Sequence, residues 1–124
     1  MAAPNILNVT SLVGKTITTT LATTSTTIIL NNLAASGKVF RVLLVRAVNV
    51  DGTNAANITV SLYNEDDLGG SQAELVQAKE VAANTYLDIV TRDAPIYVEE
   101  DKSLGATASA GNDIKMIVTY EEIS

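Results

Sequence analysis

Val39-Phe40-Arg41-Val42-Leu43-Leu44-Val45-Arg46-Ala47-Val48-Asn49-Val50 decides the fold. Apart from Arg41, Arg46 and Asn49 the stretch is apolar, and it is rich in Val. β-Branched side chains lose rotamer freedom in a helix and suit a pleated sheet. A strand that is apolar on both sides is covered on both sides, or on one of them by a neighbouring subunit. Adjacent strand residues alternate, so Leu43 and Leu44 are expected on opposite faces, as are Arg41 and Arg46, five residues apart. A charge in such a strand either snorkels to the rim of the sheet or finds an ionic partner across a subunit boundary. Arg41, Leu43, Leu44 and Arg46 are therefore the candidate subunit contacts.

Outward from this strand the chain repeats short β signals. Lys15-Thr16-Ile17-Thr18-Thr19-Thr20-Leu21 and Thr26-Thr27-Ile28-Ile29-Leu30-Asn31 read as a polar-faced strand pair around a turn at Ala22 to Ser25. Asn31-Asn32 and Ala34-Ala35-Ser36-Gly37 read as a loop. Asn57-Ile58-Thr59-Val60-Ser61-Leu62-Tyr63 alternates with period two. Ala73 to Val81 carries the helix formers Ala, Glu, Gln and Lys, yet strand is the preferred reading in a β context. Tyr86 to Val90, Ile96 to Val98, Ser103 to Ala108 and Ile114 to Tyr120 complete the series. Asp51-Gly52 is a hairpin-type dipeptide, and Gly111-Asn112-Asp113 is read as a hairpin closure. About eight or nine short strands at this spacing predict an all-β chain, an antiparallel β-sandwich with the jelly roll as candidate topology. Residues 1–124 are expected to form one domain.

Composition narrows the function. The chain of 124 residues has no His and no Cys, and its formal net charge is −6. It thus lacks the usual proton shuttle near neutral pH, the strongest ordinary nucleophile and the common zinc ligands. An enzyme is not expected, and neither is a catalytic metal or cofactor. The negative charge argues against nucleic acid and against an anionic membrane surface as partners. No apolar run is long enough to span a bilayer as a helix. Met1-Ala2-Ala3-Pro4-Asn5 does not read as a secretory signal, so synthesis in a cytoplasm is expected.

Glu65-Asp66-Asp67 and Glu99-Glu100-Asp101 are acidic clusters without the spacing of a Ca²⁺ loop, and they read as solvated loop charge. Ser36-Gly37-Lys38 lacks the frame of a phosphate loop. Asn8-Val9-Thr10 and Asn57-Ile58-Thr59 fit the glycosylation sequon and read as chance matches.

The segments Met1-Ala2-Ala3-Pro4-Asn5-Ile6, Ser36-Gly37-Lys38-Val39-Phe40, Asn49-Val50-Asp51-Gly52-Thr53-Asn54-Ala55-Ala56 and Val60-Ser61-Leu62-Tyr63 resemble small virion proteins of tailed bacteriophages, notably marine ones. So does the ending from Ile96-Tyr97-Val98 to Glu121-Glu122-Ile123-Ser124. The resemblance lies in overall texture and contains no diagnostic motif. It implies a β-rich, non-enzymatic part of a particle made in a bacterial host. A capsid decoration (cement) protein is the first expectation, and a neck, collar or tail component the second. The implied partners are the major capsid protein or another virion protein and further copies of the chain, with a trimer favoured. The competing class is a carbohydrate- or ligand-binding sandwich module, which would display Tyr63, Tyr86, Tyr97 and Tyr120 on a concave surface.

Overall fold

The computed structural model describes residues 10–124. Nine strands occur among them: β1 (Leu12–Thr20), β2 (Thr27–Asn32), β3 (Val39–Asn49), β4 (Ala56–Tyr63), β5 (Gln72–Val81), β6 (Tyr86–Val90), β7 (Ile96–Val98), β8 (Lys102–Ala108) and β9 (Ile114–Ile123). No helix is present among the described residues. The first sheet has the order β1-β9-β3-β6, and β7 pairs with the other half of β3. The second sheet has the order β2-β8-β4-β5. Every pairing is antiparallel. The chain crosses repeatedly from one sheet to the other, and with β6 and β7 counted as one row the order is that of a jelly roll.

The two inner faces close on an aliphatic core. Val42, Val45, Met116 and Val118 of the first sheet meet Ile58, Val60 and Leu104 of the second, and each is at most 1% exposed. Phe40 and Tyr120 add the one aromatic contact, with ring centroids 4.9 Å apart. Ala73 to Val81 is the strand β5, because pairing with β4 outweighs a helix propensity of tenths of a kcal/mol per residue.

Two local features depart from the sequence reading. The first is a bulge in β3. Val42 pairs with Tyr120 and Leu44 with Thr119, so Leu43 is an extra residue on the β3 side. An extra residue inverts the alternation beyond it. Val42 and Val45 both face the core, while Leu43 and Leu44 are both half-buried on the other side. Leu43 and Leu44 thus do not probe opposite faces, and Arg41 and Arg46 share the outer face.

The second concerns the connections. Asp51-Gly52 and Gly111-Asn112-Asp113 reverse the chain, but each carries it from one sheet to the other and closes no hairpin. The strands β1 and β2 likewise lie in different sheets and do not pair. Two buried asparagines fasten these crossings. Asn32, read from the sequence as loop, ends β2 and donates to Lys38 O at 2.9 Å and to Val98 O of the first sheet at 3.0 Å. Asn49 ends β3 and donates to Asn54 O at 3.0 Å and to Val81 O of the second sheet at 2.9 Å. Each buried side chain thereby has its amide donors satisfied by carbonyls on both sides of its crossing.

Candidate functional site

The outer faces of the two sheets differ. That of the second sheet is built from small side chains and covered by the loop of residues 64–71. Ser103 Oγ donates to Glu65 O at 2.7 Å and accepts from Leu68 N at 3.2 Å. Gly105 is the seat of this loop. A Cβ there would stand 2.8 Å from Leu68 Cδ2 and 2.9 Å from Tyr63 Cε1, so only glycine lets the loop lie flat. Ser61, Tyr63 and Ser103 are buried beneath it.

No described segment covers the outer face of the first sheet in this way. Its centre is β3, and the four residues singled out from the sequence lie there together. Arg46 holds Asp88 of β6 through a two-point fork, Nε to Oδ1 at 2.6 Å and Nη2 to Oδ2 at 3.0 Å. Its guanidinium carbon lies 4.3 Å from the centroid of the Tyr86 ring, within cation–π range. The Arg46 hydrogen bonds hold the Asp88 carboxyl below the usual carboxylate range and raise the guanidinium further. Arg41 donates from Nη1 to Glu121 of β9 at 3.2 Å and pairs in register with Tyr97 of β7. Both arginines thus have partners within the chain. Leu43 and Leu44 lie between them. Tyr86 is 60% and Tyr97 44% exposed. Exposed tyrosine beside arginine and leucine makes a surface suited to a protein partner, since aromatic and Arg side chains dominate the energetic centres of interfaces. A shallow depression of about 380 Å³ adjoins it, lined by Thr18, Thr20, Val48, Lys115 and Ile117.

The other singled-out residues fall elsewhere. Tyr63 and Tyr120 are 8% and 7% exposed, so the four tyrosines form no common surface. The acidic clusters do meet at one end of the sandwich, where Asp66 N donates to Asp101 Oδ1 at 3.3 Å. No set of three acidic side chains among the described residues has the spacing of a metal site. Asn8 and Val9 lie outside the described residues, as do Met1 to Ile6. No helix among the described residues is long and apolar enough to cross a membrane.

A feature that sequence reasoning did not find is Glu122. It is 8% exposed and forms salt bridges with both Lys15 of β1 and Lys38. Hydrogen bonds from Lys15 and then Lys38 lower its carboxyl from the usual range, and the same contact raises Lys15. Its signal would have been a lone acid at an alternating inward position of β9, visible only once the register is known.

No protein-family model and no characterised protein matches this chain.

Proposed function

We propose that the chain is a non-enzymatic structural subunit of a tailed-bacteriophage particle, a capsid decoration (cement) protein first and a neck, collar or tail component second. The observation that carries the reading is the outer face of the first sheet, which no described segment covers and where Arg41, Leu43, Leu44 and Arg46 stand beside Tyr86 and Tyr97. The resemblance to small virion proteins supplies the particle. Modest contacts of this kind gain strength when many copies bind a symmetric lattice, because avidity multiplies them. On the particle the copies are proposed to gather as a homo-oligomer, three being the number that the resemblance implies. The proposed partner is the major capsid protein or another virion protein.

A ligand-binding sandwich module is the second reading, and the exposed pair Tyr86 and Tyr97 is what favours it.

Immunogold labelling of particles purified from infected cells tests the first reading. Regular label over the capsid is the expected result, and label confined to one vertex or the tail selects the second location. Particles without label would overturn the reading. The surface is tested by Leu44→Asp, which is expected to leave the domain folded and abolish attachment. Val42→Asp, which puts a charge in the core, is expected to unfold it.

A further inference from the structure

The geometry points to a second contact: the free edge of β1 pairs antiparallel with β1 of another copy across a two-fold axis. This inference deepens the reading of the chain as a repeated subunit and rests on strand geometry alone.

The sandwich has four edges, β1 and the β6–β7 row in the first sheet, β2 and β5 in the second. Exposed edges invite pairing with another chain, and most proteins block them. Three of these edges are blocked or short. The register of β5 shifts twice, β2 and β6 each carry a shift, and β7 has three residues. Only β1 is long and unbroken, running in one register from Leu12↔Ile123 to Thr20↔Lys115. It contains no proline, and among the described residues no strand lies on its outer side.

Hydrogen-bond parity identifies the free groups. Ser11 and Ser124 exchange both backbone bonds, Ser11 N to Ser124 O and Ser124 N to Ser11 O, each at 2.9 Å. Paired residues in an antiparallel ladder alternate between bonded and non-bonded. Val13, Lys15, Ile17 and Thr19 therefore bond to β9. Leu12, Gly14, Thr16, Thr18 and Thr20 turn their N–H and C=O groups outward. The donation of Leu21 N to Ile114 O at 2.9 Å, further along, agrees with this parity.

These free residues match a second copy of themselves. With Thr16 opposite Thr16 of the other copy, Gly14 faces Thr18 and Leu12 faces Thr20, so all five residues on each strand pair. The same register places Lys15, the one charge in β1, opposite Ile17. A shift of the axis to Lys15 would set two ammonium groups face to face, and a shift to Ile17 would leave Leu12 unpaired. Lys15 is moreover already held by Glu122. Exposed apolar side chains flank the edge: Leu12 at 58%, Val13 at 44% and, on the neighbouring β2, Ile28 at 38%. The axis stands perpendicular to the sheet, so two outer faces join side by side and stay open to a particle.

Light scattering on the free protein across a concentration series tests the inference. The wild type is expected to double from its 13.0 kDa mass as concentration rises. Thr16→Pro removes an outward N–H and no backbone bond to β9, losing only the exposed hydroxyl contact between Thr16 Oγ1 and Thr119 Oγ1 at 3.0 Å, and proline is tolerated at such an edge position. Thr16→Lys sets like charges opposite each other at the axis. Both are expected to stay at monomer mass, with the β circular dichroism spectrum unchanged. Should Thr16→Pro lose its fold, Thr16→Lys alone decides. A wild type that remains monomeric would overturn the inference, as would a dimer that survives both variants. Particle labelling is a separate readout: a monomer found on virions overturns the edge contact and keeps the proposed function, and a dimer absent from virions does the reverse.

Discussion

β1 and β5 are both edge strands of the same sandwich, and they solve opposite problems. β5 is folded to refuse a partner. Its pairing with β4 is interrupted at two places, Ala78 takes a positive φ of 48°, and Glu74, Lys79 and Glu80 line its exposed course. The freed amide of Ala78 finds Thr59 Oγ1 at 2.9 Å, which fixes the kink. β1 has none of these devices. It keeps one register throughout, carries one charge, and offers a run of outward backbone groups. The difference teaches that exposure alone does not define an assembly edge. Regularity does, because only a strand in unbroken register presents donors and acceptors at the spacing a second strand requires.

The largest expected effect comes from moving proline by one position in β1. Ile17→Pro removes a donor that bonds to β9 and leaves its partner carbonyl unpaired, which is expected to cost about 2 kcal/mol, a fall in Tm of roughly 5–10 °C. Thr16→Pro loses only the exposed hydroxyl contact with Thr119 and should lower Tm far less. Equal losses in thermal melts of the two variants would show that the parity assigned to β1 is wrong.

Next comes the kink of β5. Thr59→Val keeps the β-branched shape and deletes the acceptor for Ala78 N, so a loss of about 1 kcal/mol is expected in urea unfolding. Ala78→Gly works in the other direction. Glycine relieves the left-handed backbone, and a gain of up to about 1 kcal/mol is expected, reduced by the extra freedom of the unfolded chain. A loss of stability in Ala78→Gly would contradict the kinked geometry.

The smallest effect is the pH dependence that tethers β1. Glu122 titrates below its unfolded value, so its contribution is present above the ordinary carboxylate range and is lost as pH falls through the lowered folded value. Lys15 titrates above its usual 10.5, so its contribution is present below that value and is lost only as pH rises through the raised one. Melts should therefore be flat near neutrality and fall on the acid side, with a shallower acid slope in Glu122→Gln. Because both lysines are nearly half-exposed, added salt should weaken the effect. Identical acid slopes in wild type and variant would remove Glu122 from the account.

Much of the fold was legible in the residues, and the reasons for the rest are specific. Most strands announce themselves through alternation or β-branched runs, which are local properties, whereas β5 carries helix formers and is a strand through its pairing with β4. The bulge at Leu43 is not local. It is seen only in the register of β3 against β9, and no residue type in Leu43-Leu44 marks it. One unforeseen residue reversed the expected placement of Arg46. Turn chemistry at Asp51-Gly52 showed that the chain reverses, but a reversal within a sheet and a crossing between sheets use the same residues. Asn32 looked like loop polarity because its value lies in a carbonyl 66 residues away. The candidate contacts Arg41, Leu43, Leu44 and Arg46 are expected from the sequence on both faces of the strand, and the bulge gathers them on one. The free edge of β1 could not be read, since edge position depends on strand order.

Residue-resolved amide hydrogen exchange, followed over protein concentration, tests the contrast between the two edges most directly. In dilute protein the amides of Val13, Lys15, Ile17 and Thr19 should be protected and those of Gly14, Thr16, Thr18 and Thr20 fast. As concentration rises the second set should become protected, while the exposed amides of β5 stay fast. Exchange at Gly14, Thr16, Thr18 and Thr20 that does not change with concentration would contradict the account.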